Sequence, residues 1–158
     1  MKNFFKKIAN SGASPHKLSL AITLGAATAA SPFWGIQTWI LFPLSWWLKT
    51  NTALSITVLY LINNPWTMLP IAAADYYIGD WFLTSILRVD LTSYNPAWMN
   101  YINKKVGYYL LKYLGIAELS LWSYIIGGII LSFMVAIITY PIALVLCKKI
   151  IQKKTALS

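Results

Sequence analysis

Residues 119–146 read LSLWSYIIGGIILSFMVAIITYPIALVL and contain no charged side chain. A helix needs about 20 apolar residues to cross the roughly 30 Å hydrocarbon core of a bilayer, because each residue adds about 1.5 Å. This run exceeds that requirement. It therefore predicts a transmembrane helix that is tilted in the bilayer or kinked near Pro141.

The composition places the rest of the chain in the same surroundings. Of 158 residues, 58% are hydrophobic and 11% are charged, and a soluble domain of this size cannot bury that much apolar surface. The 13 basic residues outnumber the 4 acidic ones. Many of them flank the apolar part, which is typical of the cytoplasmic ends of membrane helices and not of a nucleic-acid-binding face. These flanking residues are Lys2, Lys6, Lys7, Lys17, Lys148, Lys149, Lys153 and Lys154.

The apolar segments before residue 119 differ in length. Trp66–Leu87 is long enough for a second span, but each of the three earlier segments has only about 10 to 16 residues. Those three are Leu18–Ser31, Ile36–Leu48 and Ala53–Ile62. Short, interrupted segments are typical of discontinuous or re-entrant helices. The predicted helix breaks are Pro32, Gly35, Pro65 and Pro70.

These segments predict an all-α, polytopic membrane protein whose short helices are broken by proline and asparagine. Lysines at both ends predict that both termini face the cytoplasm, in a multi-pass protein of the bacterial inner membrane. Both termini on one side require an even number of crossings. Two spans with re-entrant hairpins satisfy that requirement, and four crossings satisfy it equally well.

A single membrane domain, residues 1–158, is predicted to contain five consecutive parts. They are a basic N-terminal segment (1–17), a broken-helix region (18–87), an interfacial loop and helix (88–118), a long transmembrane helix (119–147) and a basic tail (148–158). Within the interfacial part, Val106–Leu114 is predicted to be helical with tyrosines at headgroup depth. Met1–Ile8 is predicted to lie on the membrane surface.

Residues that carry enzyme chemistry are scarce. His16 is the one histidine and Cys147 the one cysteine, so neither a Ser-His-Asp triad at membrane depth nor a Cys/His metal cluster can form. No phosphate-binding glycine loop is present. The sequence predicts a protein that is not an enzyme and that has no metal site and no cofactor. Cys147, where an apolar run meets lysines, suits either lipidation or ordinary packing.

Polar residues inside the apolar segments form the predicted ligand site, a polar cleft near the midplane. An Asp at the centre of a membrane helix costs about 2.5–3.5 kcal/mol on insertion scales, so Asp75 is either functional or lies at the interface. Helix breaks free backbone groups, which asparagine side chains cap or which a ligand meets. A helix that restarts after a break also favours anions at its N-terminus. The predicted site residues are Gln37, Thr38, Asn51, Asn64, Thr67 and Asp75.

Several short motifs, in order and spacing, resemble a bacterial family. They are SPHKL (14–18), LG (24–25), PFWGIQT (32–38), KTN (49–51) and NPWTMLP (64–70). This half of the chain looks like the domain-of-unknown-function family 2062. The resemblance implies a small bacterial membrane protein, a family in which some members are fused to glycosyltransferase domains, and hence a role near polyprenyl-linked or other envelope sugars.

Two functions fit these observations. The first is a small transporter or lipid-handling protein whose ligand is a phospholipid or a polyprenyl phosphate. The alternative is a non-catalytic accessory or scaffold subunit for a membrane enzyme such as a glycosyltransferase, or a self-associating protein. It would attach through the interfacial helix and two stripes of small residues, which are predicted to be packing faces. The stripes are Gly25 with Ala29, and Gly128 with Ser132 and Ala136.

Overall fold

Helices account for the regular structure of the described chain. The computed structural model describes residues 14–89, 91, 94–116 and 118–155. No strand occurs among these residues, so the all-α prediction is confirmed. The segment predicted for Met1–Ile8 lies outside the described residues. The helices are α1 (Pro15–Ala29), α2 (Gln37–Trp47), α3 (Thr52–Ile62), α4 (Pro65–Trp81), a π-helical segment (Phe82–Leu87), α5 (Ala97–Leu114) and α6 (Leu121–Thr155).

Local sequence accounts for the helix starts and for the turn between α1 and α2. Ser14 Oγ accepts a hydrogen bond from the Lys17 N–H at 3.4 Å. Pro15 occupies the first position of α1, where a missing N–H costs nothing. Gly35 has a φ of +87°, a left-handed conformation that glycine adopts without strain. Pro32 and Gly35 therefore lie in a tight connection between two helices.

The described residues belong to two compact units. The first unit contains α1, α2, α3 and α6 from Phe133 onward. The second contains Ala30–Pro32, α4, the π-helical segment, α5 and α6 as far as Ser132.

In the first unit, α1 and α3 approach each other closely at Gly25. A Cβ atom at Gly25 would lie 2.3 Å from the Ser55 carbonyl oxygen, so only glycine fits between the two backbones. Side chains around this contact form a buried apolar cluster: Leu18, Ala21, Ala26, Leu54, Val58 and Cys147. The thiol of Cys147 is buried, which agrees with packing and not with lipidation.

In the second unit, α4 and the first part of α6 touch through their backbones. A Cβ atom at Gly79 would lie 1.8 Å from the Ser123 carbonyl oxygen, and one at Gly127 would lie 1.7 Å from the Asp75 carbonyl oxygen. Gly128 packs against Pro32, where a Cβ atom would come within 2.7 Å of the ring. Small residues therefore set the spacing in this unit.

The predicted helix break at Pro70 is wrong, because α4 continues through this residue to Trp81. Pro70 lies in the second turn of the helix, where it removes a single backbone hydrogen bond. Asn64 and Thr67 form a capping box that stabilises the start of α4, before Pro70 in the chain. Pro65, in contrast, is the first residue of α4 and marks a true helix boundary.

Two helices are longer than the sequence indicated. The helix predicted for Val106–Leu114 begins at Ala97, directly after Pro96, whose carbonyl accepts from the Met99 and Asn100 N–H groups. The long helix continues through the basic tail to Thr155. Lysine is a good helix former, so Lys148 and Lys149 do not end α6.

Within the described residues, α6 is the helix with the length and apolarity to cross a membrane. The stretch Leu121–Gln152 has 32 residues, and an 18-residue window within it has a mean hydropathy of 2.6. Many of its large apolar side chains are exposed, which suits contact with lipid better than contact with water. The exposed residues are Phe133, Met134, Ile137, Ile138, Ile142, Val145 and Leu146. These features support membrane association.

Candidate functional site

Gln37 and Thr38, at the start of α2, are both bonded to the end of α3. Asn63 Nδ2 donates a short hydrogen bond to Gln37 Oε1, and Gln37 is buried. The Thr38 hydroxyl lies 3.1 Å from the Tyr60 hydroxyl. These contacts join the two helices within the first unit. Tyr60 and Asn63 were not among the predicted site residues.

Asn51 is the N-cap of α3, at the opposite end of that helix. Its Oδ1 accepts a hydrogen bond from the Leu54 N–H at 3.0 Å. Twelve residues separate Asn51 from Asn63, which is about 18 Å along a helix. Asn51 therefore does not share a cluster with Gln37 and Thr38.

Asn64 and Thr67 form a reciprocal capping box at the start of α4. Asn64 Oδ1 accepts from the Trp66 and Thr67 N–H groups at 3.0 and 3.2 Å. The Asn64 N–H donates to the Thr67 hydroxyl at 3.2 Å. The pair satisfies backbone donors that a helix start leaves without partners, so capping accounts for both side chains.

Asp75 lies in the middle of α4 and has a relative exposure of 0%. Neither of its carboxyl oxygens has a hydrogen-bond partner among the described residues. Tyr124 of α6 lies within electrostatic range of the carboxyl. Eleven residues separate Asp75 from Asn64, about 16 Å along the helix. The six predicted residues thus do not form one cluster within either unit.

The second unit also contains a groove of about 530 Å³, and Asp75 is not among its lining residues. That volume falls within the range of small-molecule sites in proteins. Its walls come from one face of α4, the start of α5, the segment before α6 and the first turn of α6. The lining residues are mostly apolar: Leu69, Pro70, Ala72, Ala73, Tyr76, Met99, Ile116, Leu119, Ser120 and Tyr124.

Two asparagines hold the segment that forms one wall of the groove. Asn103 Nδ2 donates to the Leu119 carbonyl and Asn103 Oδ1 accepts from the Leu119 N–H, both at 3.0 Å. Asn95 Nδ2 also donates to the Leu119 carbonyl, and Asn95 Oδ1 accepts from the Leu121 N–H. The Tyr76 hydroxyl donates to the Glu118 carbonyl at 2.9 Å. The wall is therefore fixed by side chains from α4, from α5 and from the turn before α5.

Asn95 and Asn103 were not among the predicted site residues, because both lie in a polar stretch that resembled an ordinary loop. The Asn95-Pro96 pair was a usable signal for a helix start just after it. Nothing in the sequence indicated that Asn103 would bond a backbone 16 residues away.

A family model described as "Uncharacterized protein conserved in bacteria (DUF2062)" matches residues 1–156. The chain belongs to the DUF2062 family. This membership confirms the family expected from the motifs between residues 14 and 70. No curated protein and no solved structure matches this DUF2062 chain. The family description assigns neither a reaction nor a ligand.

Proposed function

We propose that this DUF2062 protein handles lipid, as a small transporter or carrier in the bacterial cytoplasmic membrane. Its ligand is a lipid with a long hydrocarbon chain and an anionic headgroup, either a phospholipid or a polyprenyl phosphate. The observation that supports the proposal is the apolar groove of the second unit, which would hold part of the hydrocarbon chain.

The chemistry of the groove favours hydrocarbon over a polar ligand. A polar molecule would lose its hydration there and gain few hydrogen bonds in return. The Tyr76 hydroxyl is already bonded to the Glu118 carbonyl, and Ser120 Oγ accepts from the Ser123 N–H at 3.3 Å. A hydrocarbon chain needs neither group, and it loses no hydration when it moves from the apolar interior of the bilayer into an apolar groove.

The membrane setting supports the same proposal. Besides α6, the helical stretch from Pro65 to Leu87 has enough residues for a second crossing. We propose a multi-pass arrangement with both termini in the cytoplasm, since lysines flank the apolar part on both sides. A lipid would then reach the groove from the bilayer without passing through water.

The test compares two substitutions at adjacent alanines of α4. Ala73 lines the groove and Ala74 does not, and both are half-buried. The full chain, purified in mild detergent, is examined by native mass spectrometry for bound lipid. Ala73→Phe should reduce the lipid-bound fraction at least about fivefold, because the ring occupies space needed by the chain. Ala74→Phe should retain the lipid.

The mass of the retained ligand distinguishes a phospholipid from a polyprenyl phosphate, and thermal unfolding shows whether both variants are folded. Ala73→Leu is the milder substitution if Ala73→Phe does not fold. Equal lipid retention in the wild type and in both folded Ala73 variants would contradict the proposal.

The alternative function, an accessory subunit, has fewer surfaces available for binding a partner than the sequence suggested. Gly25 contacts α3 and Gly128 contacts Pro32, so both glycines are used inside this chain. In this alternative, α5 would be the surface that binds the partner. On α5, Lys105 Nζ lies 4.9 Å from the centre of the Tyr101 ring, and Lys112 Nζ lies 5.9 Å from the centre of the Tyr108 ring. A stoichiometric protein partner in the same mass spectra, without bound lipid, would favour this alternative.

A further inference from the structure

The Asp75 carboxyl is buried without the partners that a buried carboxylate needs. Its relative exposure is 0%, and neither oxygen accepts or donates a hydrogen bond among the described residues. An ionised carboxylate in such a place loses its hydration and receives nothing in exchange. The neutral acid avoids most of that cost. The carboxyl therefore has a strong physical reason to hold a proton.

Charged neighbours that could stabilise an ionised Asp75 are missing from its described surroundings. The titratable group that faces it from α6 is Tyr124. On α4 itself, Tyr76 and Tyr77 follow it directly, and the half-buried Asp80 lies five residues further on. The described basic residues of the second unit are all exposed: Arg88, Lys104, Lys105 and Lys112. Glu118 is exposed as well.

The helix crossing leaves little room for a metal ion in place of the proton. Asp75 and Gly79 are four residues apart, hence on one face of α4, and this face packs against Ser123 and Gly127 of α6. The backbones are so close that even a Cβ atom at either glycine would overlap a carbonyl oxygen. Oxygen-coordinated cations need several ligands around them, whereas a proton needs only the carboxyl.

We propose that Asp75 is a reversible proton-binding site of this protein. The carboxyl holds its proton while α4 and α6 are packed together, and it transfers the proton to water only when the crossing opens and water enters. Closing the crossing requires that a proton return to the carboxyl. Proton binding is thereby coupled to the packing of these two helices, whether or not the groove binds lipid.

The direct test is infrared difference spectroscopy of the detergent-purified full chain, titrated between about pH 5 and pH 9. The wild type should show the C=O band of a protonated carboxyl at neutral pH, and the band should disappear at alkaline pH. Asp75→Asn should lack this band. Asp80→Asn, a matched change at a half-buried position of the same helix, should keep it. Isotope-labelled aspartate should shift the band in the wild type, which distinguishes an aspartic acid from Glu118.

Thermal unfolding provides a second readout. If the folded chain binds a proton that the unfolded chain releases, stability must fall as pH rises. The wild type and Asp80→Asn should therefore lose several degrees of Tm toward about pH 9, and Asp75→Asn should lose fewer. The proposal is overturned if wild-type and Asp75→Asn spectra are identical at every pH. It is also overturned if sodium chloride at constant pH removes the band, which would assign a metal ion to the site.

Discussion

At the scale of single residues, the asparagines divide between those that cap a helix and those that make contacts over long sequence distances. Asn51 and Asn64 each accept backbone N–H groups at the start of their own helix. Asn63, Asn95 and Asn103 instead bond groups that are 16 to 26 residues away. The first kind follows from local sequence, because a cap bonds only its own helix. The second kind requires the folded chain.

Replacing Asn64 tests whether this residue is a cap or a ligand contact. Asn64→Ala removes the acceptor for two N–H groups and should cost about 1 kcal/mol of unfolding free energy. For a chain of this size that is a Tm decrease of about 2–4 °C. Asn64→Asp, which keeps an acceptor oxygen, should stay close to the wild type. Bound lipid, measured by native mass spectrometry, should be the same in both variants. Loss of lipid without loss of Tm would show that Asn64 contacts the ligand.

At the scale of the helices, glycines decide which elements come together. The pairs α1–α3 and α4–α6 both meet at positions where a Cβ atom would overlap a carbonyl oxygen. Close approach increases van der Waals contact between helices, the main attraction available to them within lipid. The two helix pairs are therefore specified by small residues as much as by apolar side chains.

Gly127→Ala tests the α4–α6 contact. The added methyl group would collide with the Asp75 carbonyl, and backbone atoms on both sides cannot move independently. The cost should be about 2 kcal/mol or more. Gly107→Ala in α5 is the matched control, because nothing lies within 4 Å of a Cβ atom there. It should be neutral or slightly stabilising, since alanine favours helix over glycine. Thermal unfolding in detergent measures both; equal Tm values would contradict the close contact.

At the scale of the whole molecule, the decisive property is the apolar surface that the fold leaves exposed. Tryptophans at both ends of α2, and long aliphatic residues along α6, remain accessible after folding: Trp39 at 78%, Trp46 at 83% and Ile137 at 73%. Water is a poor solvent for such a surface. Aromatic side chains of this kind are enriched at membrane interfaces.

The protein should therefore remain in the membrane fraction after alkaline washing and should require detergent for extraction. Reporter fusions at the two ends should both report the cytoplasm, because lysines flank the apolar part at each end. A chain that stays monodisperse in detergent-free buffer would contradict the membrane assignment. Reporters on opposite sides would contradict an even number of crossings.

The amino-acid order alone was sufficient for the all-α class, for a long apolar helix over residues 119–147 and for the boundaries at Pro32 and Pro65. Those features depend on apolar length and on proline geometry, which are properties of neighbouring residues. It failed at Pro70, which does not end α4, and on the extents of α5 and α6, which are both longer than the local sequence indicated. The burial of Asp75, the Gly79–Gly127 contact and the groove exist only in the folded chain. Each depends on contacts between helices that are far apart in sequence, and no local sequence pattern specifies such contacts.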